Sequence, residues 1–209
     1  MRIAIIGAGS VGRTLGKVWA SKGHTIHFGV RNPKDHKHDD LLDSLDAPGY
    51  LDTVGCAAET ADVILLASPW PAVPEVIAAC GDIGGKILID CTNPLNPDLK
   101  SLSIGHTTSA GEEIARWAPH AHIVKCFNTI GAEMMAKPIL HGMPITMPYC
   151  GHDKASKRIV AGLVEDIGFE PIDIGGLELS RLLEPLAMVW IYMAIHGVMK
   201  RDFALQILR

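Results

Sequence analysis

The stretch MRIAIIGAGSVGRTLGKVWASKG, residues 1–23, decides the fold. A short apolar run ends at Ile6, the glycine-rich segment GAGSVG follows at residues 7–12, and apolar side chains then recur at the spacing of one helix face. A strand, a glycine turn and a helix in this order are the context in which a GxGxxG pattern indicates a dinucleotide-binding site. The alternative interpretation is a plain strand–turn–helix whose glycines serve packing alone.

The three glycines of this segment have separate predicted roles. Gly7 permits the tight turn out of the strand, and Gly9 lets a pyrophosphate approach the backbone because it has no side chain. Gly12 allows the helix to pack closely against the strand. The helix N-terminus then offers free N–H groups and the positive end of its dipole to the phosphates.

Strands and helices alternate along the rest of the chain. Runs of apolar, β-branched and aromatic residues predict strands at residues 24–30, 63–67, 86–90, 121–127, 145–150 and 169–174. Pro171 places the last of them near an edge of the sheet. The alternation predicts an α/β fold of the Rossmann type with a doubly wound, mainly parallel sheet. We expect residues 1–175 to form the dinucleotide-binding domain, and residues 176–209, helical from Leu177 to the end, to form a small C-terminal extension of the same globule.

The composition argues against several classes of partner. The chain has 209 residues, a net charge of −4 and 48% hydrophobic residues, which is typical of a globular protein with no general attraction for nucleic acid or anionic membranes. The five cysteines are scattered and form no CxxC pair, so we expect reduced thiols and a cytoplasmic location. The N-terminal apolar run is too short for a signal peptide.

The apolar stretch Pro185–Met199 predicts a buried helix. It is too short to span a bilayer, and it contains His196. A helix that is apolar nearly all round must be covered. The simplest cover is the sheet together with a second copy of the chain, so we expect a homodimer. The alternative is burial within the monomer alone.

The end of the second predicted strand indicates which dinucleotide binds. An NAD site places a carboxylate there, whereas this chain has Gly-Val-Arg at residues 29–31. The Arg31 guanidinium can pair with a 2′-phosphate in a fork geometry. Asn32, Lys34 and Lys37 can add donors. These residues therefore favour NADP over NAD; the alternative is that Arg31 is a solvated surface charge.

Three short segments follow directly after predicted strands: Ser68-Pro69-Trp70, Thr92-Asn93-Pro94 and Asn128-Thr129-Ile130. Ligands of open α/β sheets sit beyond the carboxyl ends of the strands. Prolines and small polar residues suit a fixed backbone beside a ring system, so we expect these segments at the redox site. The alternative for any one of these segments is that its prolines and polar residues only shape an ordinary loop.

No side chain stands in a recognisable acid–base or metal motif. His36 and His38 with Asp39 have generic spacing, and we expect a solvated surface there and no metal site. Hydride transfer between a nicotinamide and another redox ring needs alignment and exclusion of water, with little acid–base work by side chains. The acid–base candidates in the sequence are His106, His120, His122, His141, Lys125 and Lys137.

The chain resembles a known family nearly from end to end. The stretches that carry the resemblance are GAGSVG at 7–12, VRNP at 30–33, SPWPAV at 68–73, CTNPL at 91–95, SAGEEIA at 109–115, KCFNTIGAE at 125–133, CGHD at 150–153 and SRLLEPLAM at 180–188. They resemble the coenzyme F420-dependent NADP oxidoreductases, in particular their bacterial branch. The same module is similar to the cytosolic reductase domain of the six-transmembrane metalloreductases.

The resemblance implies a function and a set of contacts. It implies a reductase that passes hydride from NADPH to a deazaflavin or flavin, with coenzyme F420, FMN or FAD as acceptor. By resemblance, Pro69 and Trp70 would lie along the ribose and nicotinamide, and residues 128–130 would sit where the two rings meet. The C-terminal helix would border the second ring's pocket. The full set expected to contact NADP(H) is Gly7, Ala8, Gly9, Ser10, Val11, Gly12, Arg31, Asn32, Lys34, Ser68, Pro69, Trp70, Asn93, Pro94, Asn128 and Thr129.

Two other functions stay open at this point. One is a reductase of a small imine or carbonyl compound, similar to pyrroline-carboxylate reductase. Such folds usually append a large helical domain, and few residues follow Ile174 here. The other is a non-catalytic NADP(H)-binding redox sensor, which the missing acid–base group permits. The segments expected at the nicotinamide argue against the sensor, because a sensor needs only the adenine and phosphate contacts.

Overall fold

The computed structural model describes residues 1–38, 40–43, 45, 47–197 and 199–208, with only the backbone described for Lys37. The strands are β1 (Arg2–Ile6), β2 (Thr25–Val30), β3 (Gly49–Thr53), β4 (Val63–Leu66), β5 (Ile87–Asp90), β6 (His122–Lys125), β7 (Ile139–Leu140), β8 (Met143–Pro144), β9 (Thr146–Gly151) and β10 (Glu170–Asp173). The helices are α1 (Ser10–Ser21), α2 (Val54–Thr60), α3 (Val73–Ala79), α4 (Ala110–Trp117), α5 (Ala132–Met135), α6 (Lys154–Ile167) and α7 (Ser180–Ile195).

Eight of the described strands form one sheet in the order β10-β9-β6-β5-β4-β1-β2-β3. The pairs from β3 across to β6 are parallel, β9 lies antiparallel to β6, and β10 is parallel to β9. The predicted Rossmann-type, mainly parallel sheet is therefore confirmed, and so is the edge position of the strand that contains Pro171. Because β1 lies between β2 and β4, the glycine turn that follows β1 opens onto both neighbouring strand ends.

Both faces of the sheet are covered, as a doubly wound fold requires. Ile5 on one face belongs to a buried cluster with Trp19 of α1 and Leu163 of α6. Ile6 on the other face belongs to a second cluster with residues of α2, α3 and α4. Alternate residues of a strand point to opposite faces, so the continuous apolar run of β1 serves both clusters.

The structure contains local elements that the sequence patterns did not predict. A third strand, β3, and helix α2 occupy residues 49–60, between the predicted strands at 24–30 and 63–67. β3 is an edge strand and none of its residues is fully buried, so it lacks the apolar run that marks the central strands. A short hairpin of β7 and β8 was also unpredicted.

The C-terminal segment differs from its prediction. Helix α7 ends at Ile195, Gly197 has a positive φ of 78°, and the described residues 199–208 form no helix. The terminal residues lie against β9, where the Gln206 side chain accepts a hydrogen bond from the Thr146 backbone N–H. The expectation of helix to the chain end is therefore wrong: a left-handed residue, Gly197, follows α7, and the Ile207 backbone N–H donates to the Thr146 side-chain hydroxyl instead of to a helix carbonyl.

Helix α7 is buried on one face only. Leu183, Ala187 and Trp190 are buried, and the Trp190 indole donates a hydrogen bond to the Phe203 carbonyl. The opposite face exposes a row of apolar side chains, which we call the α7 stripe: Leu182, Leu186, Val189, Tyr192 and Ile195. Within the described residues, no helix combines the length and the apolarity that crossing a lipid bilayer requires.

Candidate functional site

The glycine turn after β1 has the geometry that its sequence predicts. Gly7 has a φ of +115°, and a Cβ placed there would lie 2.5 Å from the Ala67 carbonyl oxygen. A Cβ on Gly12 would clash with the Gly7 carbonyl oxygen. Any side chain at either position would therefore push the turn away from the neighbouring strand end or from α1. The Gly7 amide is held by the Gly29 carbonyl at the end of β2, at 3.2 Å.

Gly9 differs from the other two glycines because its surroundings are open. A Cβ there would meet no described atom within 4 Å, so Gly9 is not required for packing. It is the N-cap of α1, its cap has no side-chain hydrogen bond, and the described first turn of α1 has no acidic residue. The first N–H groups of this 12-residue helix therefore face open space with a favourable dipole, which suits an anion.

A cleft of about 700 Å³ extends from the glycine turn along the ends of β1, β2 and β4. Its floor includes the turn itself, and its sides are the starts of α2 and α3. Of the residues predicted to contact a dinucleotide, the ones that line this cleft are Gly7, Ala8, Arg31, Asn32, Ser68 and Pro69. Gly9, Ser10, Val11 and Gly12 continue the turn at its edge.

Arg31 stands at the cleft where the sequence places it. It directly follows β2, its side chain is 83% exposed, and its Nη2 lies 3.8 Å from Oε2 of Glu75 at the start of α3. Asn32 closes a local turn by accepting a hydrogen bond from the Lys34 backbone N–H. The Lys34 side chain is exposed and does not line the cleft, and the Lys37 side chain lies outside the described residues.

His38 corrects the expectation of a solvated histidine surface. It is only 8% exposed and lines the cleft, and its Nδ1 has no hydrogen-bond partner among the described residues. Its predicted companion Asp39 lies outside the described residues. Among the residues that the structure does describe, no group of three or more His, Cys, Asp and Glu side chains could hold a metal ion.

Asn93 and Asn128 join the ends of β5 and β6. The Asn128 side-chain amide donates to Oδ1 of Asn93 at 3.0 Å and to the Leu183 carbonyl of α7 at 3.2 Å. Asn93 in turn donates to the Asn128 carbonyl at 2.9 Å. Oδ1 of Asn128 is buried and has no partner within the described part of the chain. A buried acceptor without a partner is energetically costly.

The backbone around Asn128 is unusual. Phe127 has a φ of +63°, a left-handed conformation that is rare for a bulky residue. Its ring is buried and packs edge-on against Trp19 at 5.8 Å between centroids. This packing fixes the strained residue and, with it, the direction in which residues 128–130 leave the sheet. Thr129 and Ile130 are buried there, and Pro94 is buried on the neighbouring segment.

Trp70 does not line the cleft. Its indole stacks on Trp117 of α4, with 5.6 Å between ring centroids. The structure therefore separates it from Pro69, although the two are adjacent in the sequence. Nor do the segments at 92–94 and 128–130 line the cleft; they lie further along the same edge of the sheet, at the ends of β5 and β6.

A buried ionic cluster lies beneath this edge, and the sequence interpretation missed it. Nζ of Lys125 lies 2.8 Å from Oδ2 of Asp90 and 2.8 Å from Oε1 of Glu184. Asp90 also accepts hydrogen bonds from Thr92, and Glu184 accepts from the backbone N–H groups of residues 110 and 111 at the start of α4. The only sequence signal was a charged residue at the end of two neighbouring apolar strands, Asp90 of β5 and Lys125 of β6.

The cluster accounts for Lys125, which was considered as an acid–base candidate. Burial lowers the pKa of Lys125, but the attraction of Asp90 and Glu184 outweighs it and the net pKa is raised. Burial raises the pKa of Glu184, with Lys125 only partly offsetting it. The ammonium of Lys125 is fully buried and bonded to Asp90, Glu184 and the Thr92 carbonyl, so it ties the ends of β5 and β6 to α7.

The thiols near the strand ends have raised pKa values. Cys91 directly follows β5 and donates a hydrogen bond from Sγ to the Leu66 carbonyl at 3.0 Å. Burial raises its pKa to about 12, and burial raises that of Cys150 to about 11. Thiolate is therefore scarce at neutral pH, and neither side chain is suited to act as a nucleophile.

A second groove, of about 620 Å³, lies between residues 100–106 and α7. It is mainly apolar, and part of its wall belongs to the α7 stripe through Val189 and Tyr192. Three basic side chains also line it: Lys100, His106 and Arg181. Arg181 is already paired with Glu112. The groove is linked to Asn93 through the loop that leaves β5, where Leu95 pairs with Leu102 in an isolated bridge.

Comparison with known proteins connects this arrangement to a family and to wider relatives. The family model for "NADP oxidoreductase coenzyme F420-dependent" matches residues 2–94. Metalloreductase STEAP3 of Rattus norvegicus is 27% identical over 90% of this chain, but the chain spans only 36% of that relative. A reductive aminase from Aspergillus terreus is 19% identical with a TM-score of 0.69, over 94% of this chain and 62% of that one, which shows a shared fold alone.

The strongest of these likenesses extends over two whole chains. A candidate F420-dependent NADP reductase from Arthrobacter sp. FB24 has a crystal structure that is 30% identical to this chain, with a TM-score of 0.92. The match covers 100% of both chains, including α7 and the terminal segment. The family model adds independent support over the glycine turn and the cleft. The chain therefore belongs to the family of coenzyme F420-dependent NADP oxidoreductases.

Proposed function

We propose that this protein is an NADPH-dependent reductase whose acceptor is a deazaflavin of the F420 type, with a flavin as the alternative acceptor. The observation that carries the proposal is the order of features along one edge of the sheet. The glycine turn and Arg31 lie at one end, the Asn93–Asn128 pair lies further along, and the second groove adjoins that pair through the loop after β5. A dinucleotide and a second redox ring need two such neighbouring sites.

The residues of the cleft fit NADP(H). Gly9 leaves open space before the N-terminus of α1, and Gly7 and Gly12 keep the backbone close to it. Arg31 provides a cation at the end of β2, where an NAD-specific site would have a carboxylate. Beyond the cleft, the Asn93–Asn128 pair joins the ends of β5 and β6, where the nicotinamide end of the cofactor would lie.

NADPH supplies a hydride when it is bound, and the chain's own residues have to bind and align the reactants. The Asn93–Asn128 pair fixes two strand ends relative to α7. The packed residues Phe127, Thr129 and Ile130 exclude water on the protein side. None of the described side chains there is a free acid or base. The site therefore suits hydride transfer by alignment, which contributes through proximity.

The second groove fits the chemistry of the proposed acceptor. Its apolar wall can cover a flat ring system, and Lys100 and His106 can attract a negatively charged tail. F420 and FMN both combine a flat ring with a phosphate-bearing tail. Helix α7 forms one wall of the groove.

We also propose that the protein is a homodimer. Supporting this, the α7 stripe leaves five large apolar side chains exposed on one helix face, and exposed apolar patches commonly mark contact surfaces. A second copy of the same helix is the self-complementary partner that a two-fold interface requires.

The test of the reductase is NADPH oxidation by the purified protein with F420, FMN and FAD supplied in separate assays. Turnover is expected with F420 or a flavin, and the Arg31→Ala variant should lose about 10- to 100-fold in NADPH affinity. Tight NADPH binding without turnover on any acceptor would contradict the proposal and favour a redox sensor. Turnover on a cyclic imine, with none on the ring acceptors, would identify an imine reductase instead.

A further inference from the structure

Arg31 and Glu75 form an ion pair across the mouth of the nucleotide cleft. Arg31 directly follows β2, and Glu75 lies in the first turn of α3, which follows β4. These two strands flank β1 on either side. The pair, at 3.8 Å, therefore bridges the two sides of the cleft above the glycine turn.

The pair is able to exchange partners. The side chains of Arg31 and Glu75 are 83% and 76% exposed, and no other ion pair of either is found among the described residues. Exposed ion pairs contribute little to stability, so opening this one costs the fold little. A ligand that offers Arg31 a doubly charged phosphate would be a better partner than a single carboxylate.

Such a ligand meets Glu75 on its way to Arg31. Both residues line the cleft, and Arg31 is the one Lys or Arg among the lining residues that the structure describes. A 2′-phosphate therefore has to displace Glu75 from Arg31 and remain near the displaced carboxylate. A nucleotide without that phosphate leaves the ion pair intact.

We propose that Glu75 is a specificity-determining residue, which competes with the 2′-phosphate of the dinucleotide for Arg31 and thereby weakens the preference for NADP(H) over NAD(H). The proposal rests on the proposed dinucleotide site and goes beyond it, since it assigns the preference to a residue on α3 that no dinucleotide fingerprint includes. Arg31 supplies the attraction for the phosphate, and Glu75 sets how much of that attraction is available.

The test is direct titration of the protein with NADPH and with NADH, each followed by cofactor fluorescence. Glu75→Gln keeps the side-chain shape and removes the charge. It should tighten NADPH binding about three- to tenfold and change NADH binding less than about twofold. The gain should shrink as salt is added, because the cleft mouth is exposed and screened. Glu165→Gln, on the exposed face of α6, makes the same charge change away from the cleft and should alter neither affinity.

A double-mutant cycle separates competition from simple repulsion. If Glu75 acts through Arg31, the gain from Glu75→Gln should largely disappear in an Arg31→Ala background. The inference is overturned if the gain persists there in full, or if Glu75→Gln leaves the NADPH to NADH ratio of affinities at the wild-type value. These outcomes are distinct from failure of the reductase proposal, which would show as NADPH binding without turnover. A wild-type protein that binds neither nucleotide would overturn both.

Discussion

Nζ of Lys125 lies 2.8 Å from Oε1 of Glu184, and this contact joins β6 to α7 in a region without solvent access. The same lysine holds Asp90 at the end of β5, and the same glutamate accepts from the first N–H groups of α4. The ends of two strands, the start of α4 and the first half of α7 are therefore tied together at one point. This ionic cluster lies under the Asn93–Asn128 pair. It sets the position of α7, which forms one wall of the second groove.

Replacing Lys125 by methionine should destabilise the protein strongly. The change leaves Asp90 and Glu184 facing each other without their shared cation, and breaking a buried pair in this way costs about 3–5 kcal/mol. The free energy of unfolding from urea denaturation measures the effect. Arg2→Met is the matched control: it breaks an exposed pair with Asp62 and should cost less than about 1 kcal/mol. Equal effects of the two changes would mean that the buried cluster has no special role.

The buried Glu184 carboxyl should make stability fall as the pH rises. Its pKa is raised from 4.5, mainly by burial, so above that pH the folded state keeps a proton that the unfolded chain has lost. The free energy of unfolding then decreases with pH until Glu184 ionises in the folded state. The difference in stability between Glu184→Gln and the wild type, measured from pH 4 upward, should shift in favour of the variant. A constant difference across that range would refute the assignment.

Glu112 lies on the same α4–α7 interface and should have the opposite effect. Its pKa is lowered from 4.5, mainly by the hydrogen bond from Arg181, whose Nε lies 2.8 Å from the carboxylate. The stabilisation is present above that usual value and is lost as the pH falls toward the lowered pKa. Glu112→Gln should therefore be less stable than the wild type at neutral pH, and the difference should narrow on acidification. Urea denaturation at pH 3 to 7 tests this, and a difference that widens on acidification would contradict it.

Alanine substitutions at Gly12 and Gly9 should have different effects, the first on stability and the second on NADPH affinity. Gly12→Ala places a Cβ against the Gly7 carbonyl and should cost about 1–3 kcal/mol of stability. Gly9→Ala has open space, so stability should change by less than about 1 kcal/mol, while NADPH affinity should fall about tenfold or more because the Cβ occupies the approach to the backbone.

The control for the glycine series is Gly162→Ala on α6, where a Cβ also meets nothing within 4 Å among the described atoms. It should leave NADPH affinity unchanged and raise stability slightly, because alanine is the better helix residue. If Gly9→Ala bound NADPH as well as the wild type, the pyrophosphate could not lie against Gly9.

A charge placed in the α7 stripe should dissociate the proposed dimer. The expected species of the wild type by light scattering at micromolar concentration is a dimer, and Val189→Glu should shift it to monomer, since an unpaired charge would be buried at the interface. Ile159→Glu on α6 also replaces an exposed apolar residue and should leave the dimer intact. A wild-type monomer under these conditions would exclude the dimer.

Sequence patterns predicted the secondary-structure elements that depend on residues close together in the chain. β1, the turn and α1 follow from an apolar run, from a position that needs a positive φ at Gly7 and from helical periodicity. Residues 109–112 have the Ser-x-x-Glu pattern of a capping box, and Ser109 caps α4 by accepting from the Glu112 backbone N–H. β3 was not predictable in this way, because an edge strand without a buried face has no distinctive apolar pattern. The non-helical terminus was not predictable either, because Gln206 bonds Thr146, which is far away in the sequence.

The sequence by itself determined the Rossmann framework, the glycine turn and the position of Arg31 at the end of β2. Only the tertiary structure decided which residues meet there: Lys125 with Asp90 and Glu184, Asn93 with Asn128, Arg31 with Glu75, and Trp70 with Trp117 instead of the cleft. The physical reason is that each of these contacts joins residues far apart in the chain. Whether they meet depends on strand order and on how helices pack across the sheet. Local sequence patterns predict neither of these.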